Sequence, residues 1–340
     1  MQQPSPPAAE FQAVDDDRSP KCDLCGSWEV RALWQVTDKK FRGPGRFTYW
    51  RCAGCGLVAL HPRPGEEEMA QYYPDHVTPV QPPGRLRQRL KRMVVEDWYG
   101  YGADRPTVIG LLRKAATFPL RRLLCQVPRK RQDGRVLDIG CGSGGYLAFL
   151  ASLGWMCHGV EPGPNSRGYA QRALGLTVHP GPLKACRFPD QWFDVVTMWH
   201  VIEHFAEPLE TLREIHRVLK RDGIVLVRTP SVESWEARVF QGCWYGVDAP
   251  RHVYLFSPQT LGAFLAKAGF VITDVRYQYH SVDCSRSCLY ALEDAGWTRV
   301  RRFLAGWMRL FELLLAACSP LRHALGRGGA MQVMARKGSA

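Results

Sequence analysis

The feature that most constrains this chain is the run Val136-Leu137-Asp138-Ile139-Gly140-Cys141-Gly142-Ser143-Gly144-Gly145, an apolar strand leading directly into a glycine-rich turn. Glycine lets the backbone turn sharply and approach a ligand without a Cβ in the way. A helix that starts at the end of such a turn offers free backbone N–H groups to whatever sits there. The sequence around the run alternates strand and helix. Helices are expected at about 145–153, 165–174 and 208–219, and strands at 136–138, 157–161, 193–198, 224–228, 271–279 and 331–335. Alternation at this spacing argues for a parallel sheet covered by helices.

Gly140, Gly142 and Gly145 also satisfy the G-x-G-x-x-G pattern of dinucleotide sites, which alone is a weak signal. Charge separates the two readings. A dinucleotide would bring its anionic pyrophosphate to this turn, where Asp138 would oppose it. S-adenosylmethionine carries an ammonium group and a sulfonium centre, so a carboxylate beside the turn suits it. Glu161 ends the next expected strand, 23 positions after Asp138, where a carboxylate can accept hydrogen bonds from ribose hydroxyls. The competing reading is that the glycines only make a tight strand-to-helix turn.

Residues 136–145 with Glu161 resemble the first two motifs of class I S-adenosylmethionine-dependent methyltransferases. Phe193-Asp194-Val195-Val196, Glu203-His204, Arg217-Val218-Leu219-Lys220 and Arg228-Thr229-Pro230 continue the resemblance in order over about two hundred residues. The resemblance implies an α/β fold: a Rossmann-like, seven-stranded methyltransferase sheet with helices on both faces. It also implies a cofactor site at Asp138, Gly140, Cys141, Gly142, Gly144 and Glu161, with Leu183 near adenine. Many relatives have an acidic residue close to that last position, where Lys184-Ala185-Cys186 stands here.

In this fold the segment after the fourth strand, Trp199-His200-Val201-Ile202-Glu203-His204, lies beside the transferable methyl group. His204 titrates near neutrality and could take a proton from a hydroxyl or an activated carbon, with Glu203 orienting it. The Glu-His pair resembles that of sugar C-methyltransferases and ubiquinone-pathway O-methyltransferases. The alternative for His204 is simple packing at a helix start. His200 is grouped with the cofactor-facing residues, again with packing as the alternative. Residues 244–252 form a loop rich in polar and aromatic groups, in which Tyr245, Arg251 and His252 are candidates for acceptor binding. The competing reading is a loop that caps the core.

Cys22-x-x-Cys25 and Cys52-x-x-Cys55 form two knuckles, each followed by glycine and separated by 26 residues. Four thiolates so spaced suit tetrahedral Zn2+, and with sulfur in all four positions the metal is structural. This stretch resembles the N-terminal module of bacterial methyltransferases linked to sugar or polysaccharide modification.

The chain is therefore read as a tail (1–20), a zinc ribbon (21–64), a basic helical connector or lid (65–134) and a methyltransferase domain (135–340). The N-terminus lacks the basic-then-apolar order of a secretion signal, which points to the cytoplasm. Net charge is +13, and residues 85–135 hold fourteen basic side chains against four acidic ones. Such a segment can attract nucleic acid, an anionic membrane or a phosphorylated substrate. The apolar stretch at 303–318 is shorter than a membrane span and is read as a packed helix, with a helix lying on the inner membrane face as the alternative.

The leading function is methyl transfer to an oxygen or carbon of a small-molecule acceptor: a sugar, a glycolipid or a secondary-metabolite intermediate. An RNA methyltransferase is the second reading. It is less favoured because no Asn/Asp-Pro-Pro-Tyr motif, catalytic-cysteine motif or dense aromatic platform accompanies the basic residues. A non-catalytic binding protein that retains the fold is the third.

Overall fold

The computed structural model describes residues 19–73, 85–102, 108–118, 120, 127–279, 281–317 and 328–338, so nearly all of the expected tail lies outside the described residues. A three-stranded antiparallel meander comes first: β1 (Val30–Val36), β2 (Phe47–Cys52) and β3 (Val58–His61). Short helix α1 (Glu66–Ala70) follows, and then α2 (Arg85–Trp98) and α3 (Val108–Thr117).

The alternating half begins at β4 (Arg135–Ile139) and continues through α4 (Gly145–Ala151), β5 (Met156–Val160), α5 (Pro164–Leu174), β6 (Thr177–His179), β7 (Phe193–Trp199) and α6 (Pro208–Val218). After β8 (Leu219–Pro230) come α7 (Trp235–Phe240), β9 (Tyr254–Leu255), α8 (Pro258–Lys267), β10 (Phe270–Gln278), α9 (Ser281–Asp294), α10 (Thr298–Gly306), α11 (Met308–Ala317) and β11 (Ala330–Lys337).

Seven strands form one sheet in the order β10-β11-β8-β7-β4-β5-β6. The strands from β6 to β8 are parallel, and β11 runs antiparallel between β8 and β10. Both faces of the sheet are buried. Along β4, Leu137 and Ile139 join one core cluster and Val136 the other, and β7 splits Val196 and Met198 from Val195 in the same way. This period-two division puts apolar residues on both faces, which is why these strands are largely hydrophobic apart from Arg135, Asp138, Asp194 and Thr197. The chain leaves β4 toward β5 and β6 and then returns to the other side at β7. The carboxyl ends of β4 and β7 therefore flank a crevice.

The two Cys knuckles have the same local bonding. Gly26 N donates to Cys22 O (2.8 Å) and Gly56 N to Cys52 O (3.0 Å), with both glycines at positive φ. The meander does not stand apart from the rest. Strand β9 adds to it as a fourth strand, pairing Val58 with Leu255 and Ala59 with Tyr254. Cys22, Cys52 and Leu57 share a core cluster with the large sheet. The hydroxyl of buried Tyr49 reaches His252 O at 2.6 Å, with Val247 O at 2.9 Å.

Arg251 completes this junction. All five guanidinium N–H groups are engaged: Nε and Nη2 with Asp248 Oδ1, Nη1 with Asp38 Oδ2 and Tyr72 O, and Nη2 also with Asp38 Oδ1, at 2.6–3.1 Å. The side chain is 2% exposed. Burial opposes its charge, but the two carboxylates outweigh burial and hold its pKa above the ordinary arginine value. The expectation that Arg251 binds the acceptor is thereby corrected, because no donor is left for a ligand.

The basic connector covers the glycine-loop side of the sheet. Val94 and Val95 of α2 are buried with Val136, Cys141 and Leu147, and Lys91 Nζ lies 4.0 Å from the centroid of the Phe149 ring. Buried Asp97 accepts from Arg113 Nε (2.8 Å) and Thr117 Oγ1 (3.0 Å), which ties α2 to α3. The packed helix expected at 303–318 is instead two helices, α10 and α11, meeting at Trp307. Phe303 (66%), Trp307 (56%) and Leu313 (68%) are exposed, so this stretch is not a core helix. No helix among the described residues is long and apolar enough to cross a membrane.

Replacing Arg251 by Ala would leave buried Asp38 with backbone donors but no cationic partner and Asp248 with Lys40 as its remaining ion-pair partner among lysines and arginines of the described residues, and removal of one partner of a buried ion pair costs about 3–5 kcal/mol. Urea unfolding of Arg251→Ala should show a stability loss of that order. A loss of a few tenths of a kcal/mol would mean that the junction is not structural.

Candidate active site

The glycine turn begins where β4 ends. Gly140, Gly142 and Gly144 all have positive φ, +53° to +78°. A Cβ on Gly140 would stand 2.5 Å from Val201 Cγ2, and one on Gly144 would stand 2.6 Å from Leu176 Cδ1. Conformation and close packing together therefore exclude side chains at these two positions. Gly140 N and Cys141 N both donate to Val160 O, which fixes the turn across the ends of β4 and β5.

Two carboxylates flank the turn. Asp138 is buried, and Thr197 Oγ1 of neighbouring β7 donates to its Oδ1 at 2.5 Å. Burial, together with the nearby Glu161 charge, raises Asp138 to about 7 despite the hydroxyl bond. Glu161 accepts from Gly142 N through Oε2 and from Gly163 N through Oε1, both at 2.8 Å. Each oxygen has a second lone pair that can accept from a diol. Of the other expected cofactor residues, Cys141 is buried inside the turn and Leu183 is buried at the start of a short 3-10 helix (Leu183–Cys186) beyond β6. His200 is placed differently. It adopts φ +58° just after β7, and its Nδ1 lies 3.4 Å from Glu203 Oε1, an ion-pair neighbour within the next segment.

That segment packs against the glycine turn through the close approach of Val201 to Gly140. It carries Glu203 and His204 on a single 3-10 turn, Ile202–His204. The Glu203 side chain is fully buried, and neither carboxylate oxygen has a hydrogen-bond partner among the described residues. Burial would raise its pKa, but His200, His252 and His204 around it prevail and hold it down to about 2. His204 moves the other way: burial and neighbouring His252 lower it to about 4 against the pull of Glu203 and Asp248, so the ring is neutral at physiological pH.

The structure brings His252 to the same place. The His204 and His252 rings are 4.7 Å apart between centroids, and His252 Nε2 is 3.9 Å from Glu203 Oε1. Tyr245, also expected at the acceptor site, has its ring tilted against that of Tyr290 at 6.2 Å between centroids, and its backbone N–H donates to Ser287 Oγ at 2.8 Å.

Sequence reading missed Tyr73, whose hydroxyl lies 3.0 Å from His204 Nδ1, and Asp248, whose Oδ2 lies 3.8 Å from His252 Nε2. It also missed Thr197, the partner of Asp138. Tyr73 is 131 positions from His204, and no local pattern links the two.

The four cysteines converge as their spacing requires. Cys22 and Cys55 Sγ are 3.5 Å apart, as are Cys25 and Cys52 Sγ, and all four sulfurs lie within 4.8 Å of one another. Tetrahedral zinc with bonds of about 2.3 Å needs sulfurs roughly 3.8 Å apart, so the set fits. A groove of about 590 Å³ beside them, lined by Trp28, Trp50 and Arg63 among others, belongs to the meander and not to the glycine turn.

Strand order, glycine turn and paired carboxylates define a class I S-adenosylmethionine-dependent methyltransferase domain, and comparison with known proteins agrees. Residues 111–275 match the family model described as a methyltransferase domain. The uncharacterized methyltransferase YcgJ of Bacillus subtilis is 30% identical over 111 residues, covering 31% of this chain and 44% of its own length. A ubiquinone biosynthesis O-methyltransferase of Pseudomonas aeruginosa is 30% identical over 154 residues, covering 42% of this chain and 66% of its own. The chain thus spans less than two thirds of the length of these curated relatives. Among solved structures, a SAM-dependent methyltransferase from Archaeoglobus fulgidus is similar at 19% identity and a TM-score of 0.43, over 72% of this chain and 99% of that one.

A cationic cofactor needs Asp138 ionised. Because its pKa is raised to about 7 in the free protein, affinity for S-adenosylmethionine should be full above pH 7 and should fall below it. A decline of roughly thirty-fold by pH 5.5 is expected if the bound state restores an ordinary carboxyl pKa. Calorimetric titration across pH checks this. Asp138→Ala should bind weakly at every pH, and unchanged affinity in that variant would refute the placement.

Proposed function

We propose that this protein transfers the methyl group of S-adenosylmethionine to an oxygen or carbon of a small-molecule acceptor, with a sugar, glycolipid or secondary-metabolite intermediate as the acceptor class. The observation that carries this reading is the cluster of buried Glu203 and His252 with half-buried His204, set against the glycine turn through Val201 and Gly140. In this reading Asp138 holds the methionine part of the cofactor and Glu161 the ribose. Methyl transfer is an in-line displacement with a good sulfonium leaving group, so alignment in a water-poor crevice supplies much of the rate. What remains is removal of a proton from the acceptor, and the Glu-His-His cluster is where that happens. The similarity to the Pseudomonas ubiquinone biosynthesis O-methyltransferase supports an oxygen acceptor.

The four cysteines hold Zn2+ in this proposal. With four sulfurs the metal has no open position for chemistry, and its part is to lock the meander that pairs with β9 beside His252. Incubation with methyl-labelled cofactor and nucleotide sugars, lipid extracts or RNA should put label into a sugar or lipid fraction, and Asp138→Ala should remove it. Label in RNA alone would overturn the acceptor class.

A second reading concerns where the acceptor is met. The exposed apolar residues Phe303, Trp307 and Leu313 alternate with exposed Arg302 and Arg309, the composition of a helix that lies on an anionic membrane surface. We propose peripheral contact of this kind. Co-sedimentation with phosphatidylglycerol vesicles at low salt, weakened by Phe303→Ser with Trp307→Ser, is the expected result. No binding at low salt would dispose of it.

A further inference from the structure

The cluster beside the glycine turn is more ordered than a single proton acceptor requires. His204 Nδ1 is 2.9 Å from Arg251 O, and His252 Nδ1 is 2.8 Å from Gly246 O. A carbonyl oxygen only accepts, so each ring is held as the Nδ1–H tautomer and directs an Nε2 lone pair away from that bond. Metal-ligating histidines are oriented in this way, with the outer nitrogen donating to a carbonyl and the inner one left free.

Glu203 faces them with two buried carboxylate oxygens that lack hydrogen-bond partners among the described residues. Imidazole lone pairs give this buried anion no donor, and the described nitrogen standing off it as an ion-pair neighbour, His200 Nδ1 at 3.4 Å from Oε1, leaves room for a cation to complete its coordination. One ligand atom from each of the three residues lies within 4.8 Å of the others. Around a small divalent ion, ligand atoms at about 2.1 Å stand roughly 3 Å apart in neighbouring positions, so modest side-chain movement would close the site.

We propose that Glu203, His204 and His252 form a second metal site, distinct from the four cysteines, that takes a first-row divalent cation such as Zn2+, Mn2+ or Co2+. Two imidazoles with one carboxylate favour these ions over Mg2+ or Ca2+, which prefer oxygen ligands. Three protein ligands leave positions open for the acceptor. A hydroxyl oxygen bound to the cation loses its proton to solvent water, and the resulting oxyanion donates its electron pair to the methyl carbon. The O–CH3 bond forms as the S–CH3 bond breaks, and neutral S-adenosylhomocysteine leaves. His204 then acts as a ligand and not as a free base. Open positions on one cation also favour acceptors with two adjacent oxygens, such as a catechol, a vicinal diol or an α-hydroxy acid. The catalytic role rests on the methyl-transfer reading, whereas occupancy of the site does not.

Cobalt titration of the full-length, zinc-loaded protein tests occupancy directly. One further equivalent of Co2+ per chain should bind, with the weak visible bands of a nitrogen–oxygen site and without the intense sulfur charge-transfer bands of a tetrathiolate. Glu203→Gln and His204→Gln should each weaken that equivalent by 10–100-fold while retaining zinc and S-adenosylhomocysteine binding. His252→Gln serves in their place if either fails to fold. Absence of a second equivalent in the native protein, or native affinity in folded variants, would overturn the proposal. A cobalt site in a protein that methylates nothing would overturn the methyl-transfer reading and leave this one standing.

Discussion

The buried contact of Arg251 with Asp38 and Asp248 is the interaction on which the rest of this structure depends. Asp38 belongs to the N-terminal meander and Asp248 to the loop after β8, so one guanidinium joins segments 213 positions apart. The same residue's carbonyl accepts from His204 Nδ1. Its side chain therefore holds the two halves of the molecule together while its backbone sets the tautomer of the central histidine. An isolated charge could not remain in this environment, and two carboxylates with five engaged N–H groups make it stable there.

The meander acts through this junction. Strand β3 pairs with β9, Leu60 N donates to Val253 O, and Tyr49 holds His252 O from beneath. Val253 N in turn donates to Glu203 O at 2.7 Å. A continuous run of backbone bonds thus extends from the cysteine knuckles to the acidic and imidazole groups beside the glycine turn. A segment too short to build its own core has become the support of the site, which explains why cysteines Cys22 and Cys52 are buried in the same cluster as the large sheet.

Much of the fold is legible in the sequence alone. The six strands expected from apolar runs appear within a few residues of their places. The seventh, β6, is only Thr177–His179 and too short to show a period, so it entered only through family resemblance. Strand β9 has two residues and exists only because β3 lies beside it. Helix α9 was not foreseen, because its Ser- and Cys-rich sequence carries weak helix preference and is held by packing. The single helix expected at 303–318 breaks at Gly306-Trp307, and Phe303, Trp307, Leu310, Phe311 and Leu313 of that stretch are exposed.

The sequence by itself determined what depends on near neighbours: the glycine turn, the strand-end carboxylates Asp138 and Glu161, and the two cysteine knuckles, all encoded within a few residues of spacing. Only the tertiary structure decided that Arg251 is sealed inside an ion cluster and closed to ligands, and that His204 meets His252 and Tyr73. It alone decided that Glu203 lies buried among histidines with its oxygens unpartnered. The physical reason is range. Backbone preference and side-chain period act over a turn or a strand, whereas burial and charge pairing between distant residues arise only when packing excludes water from between them.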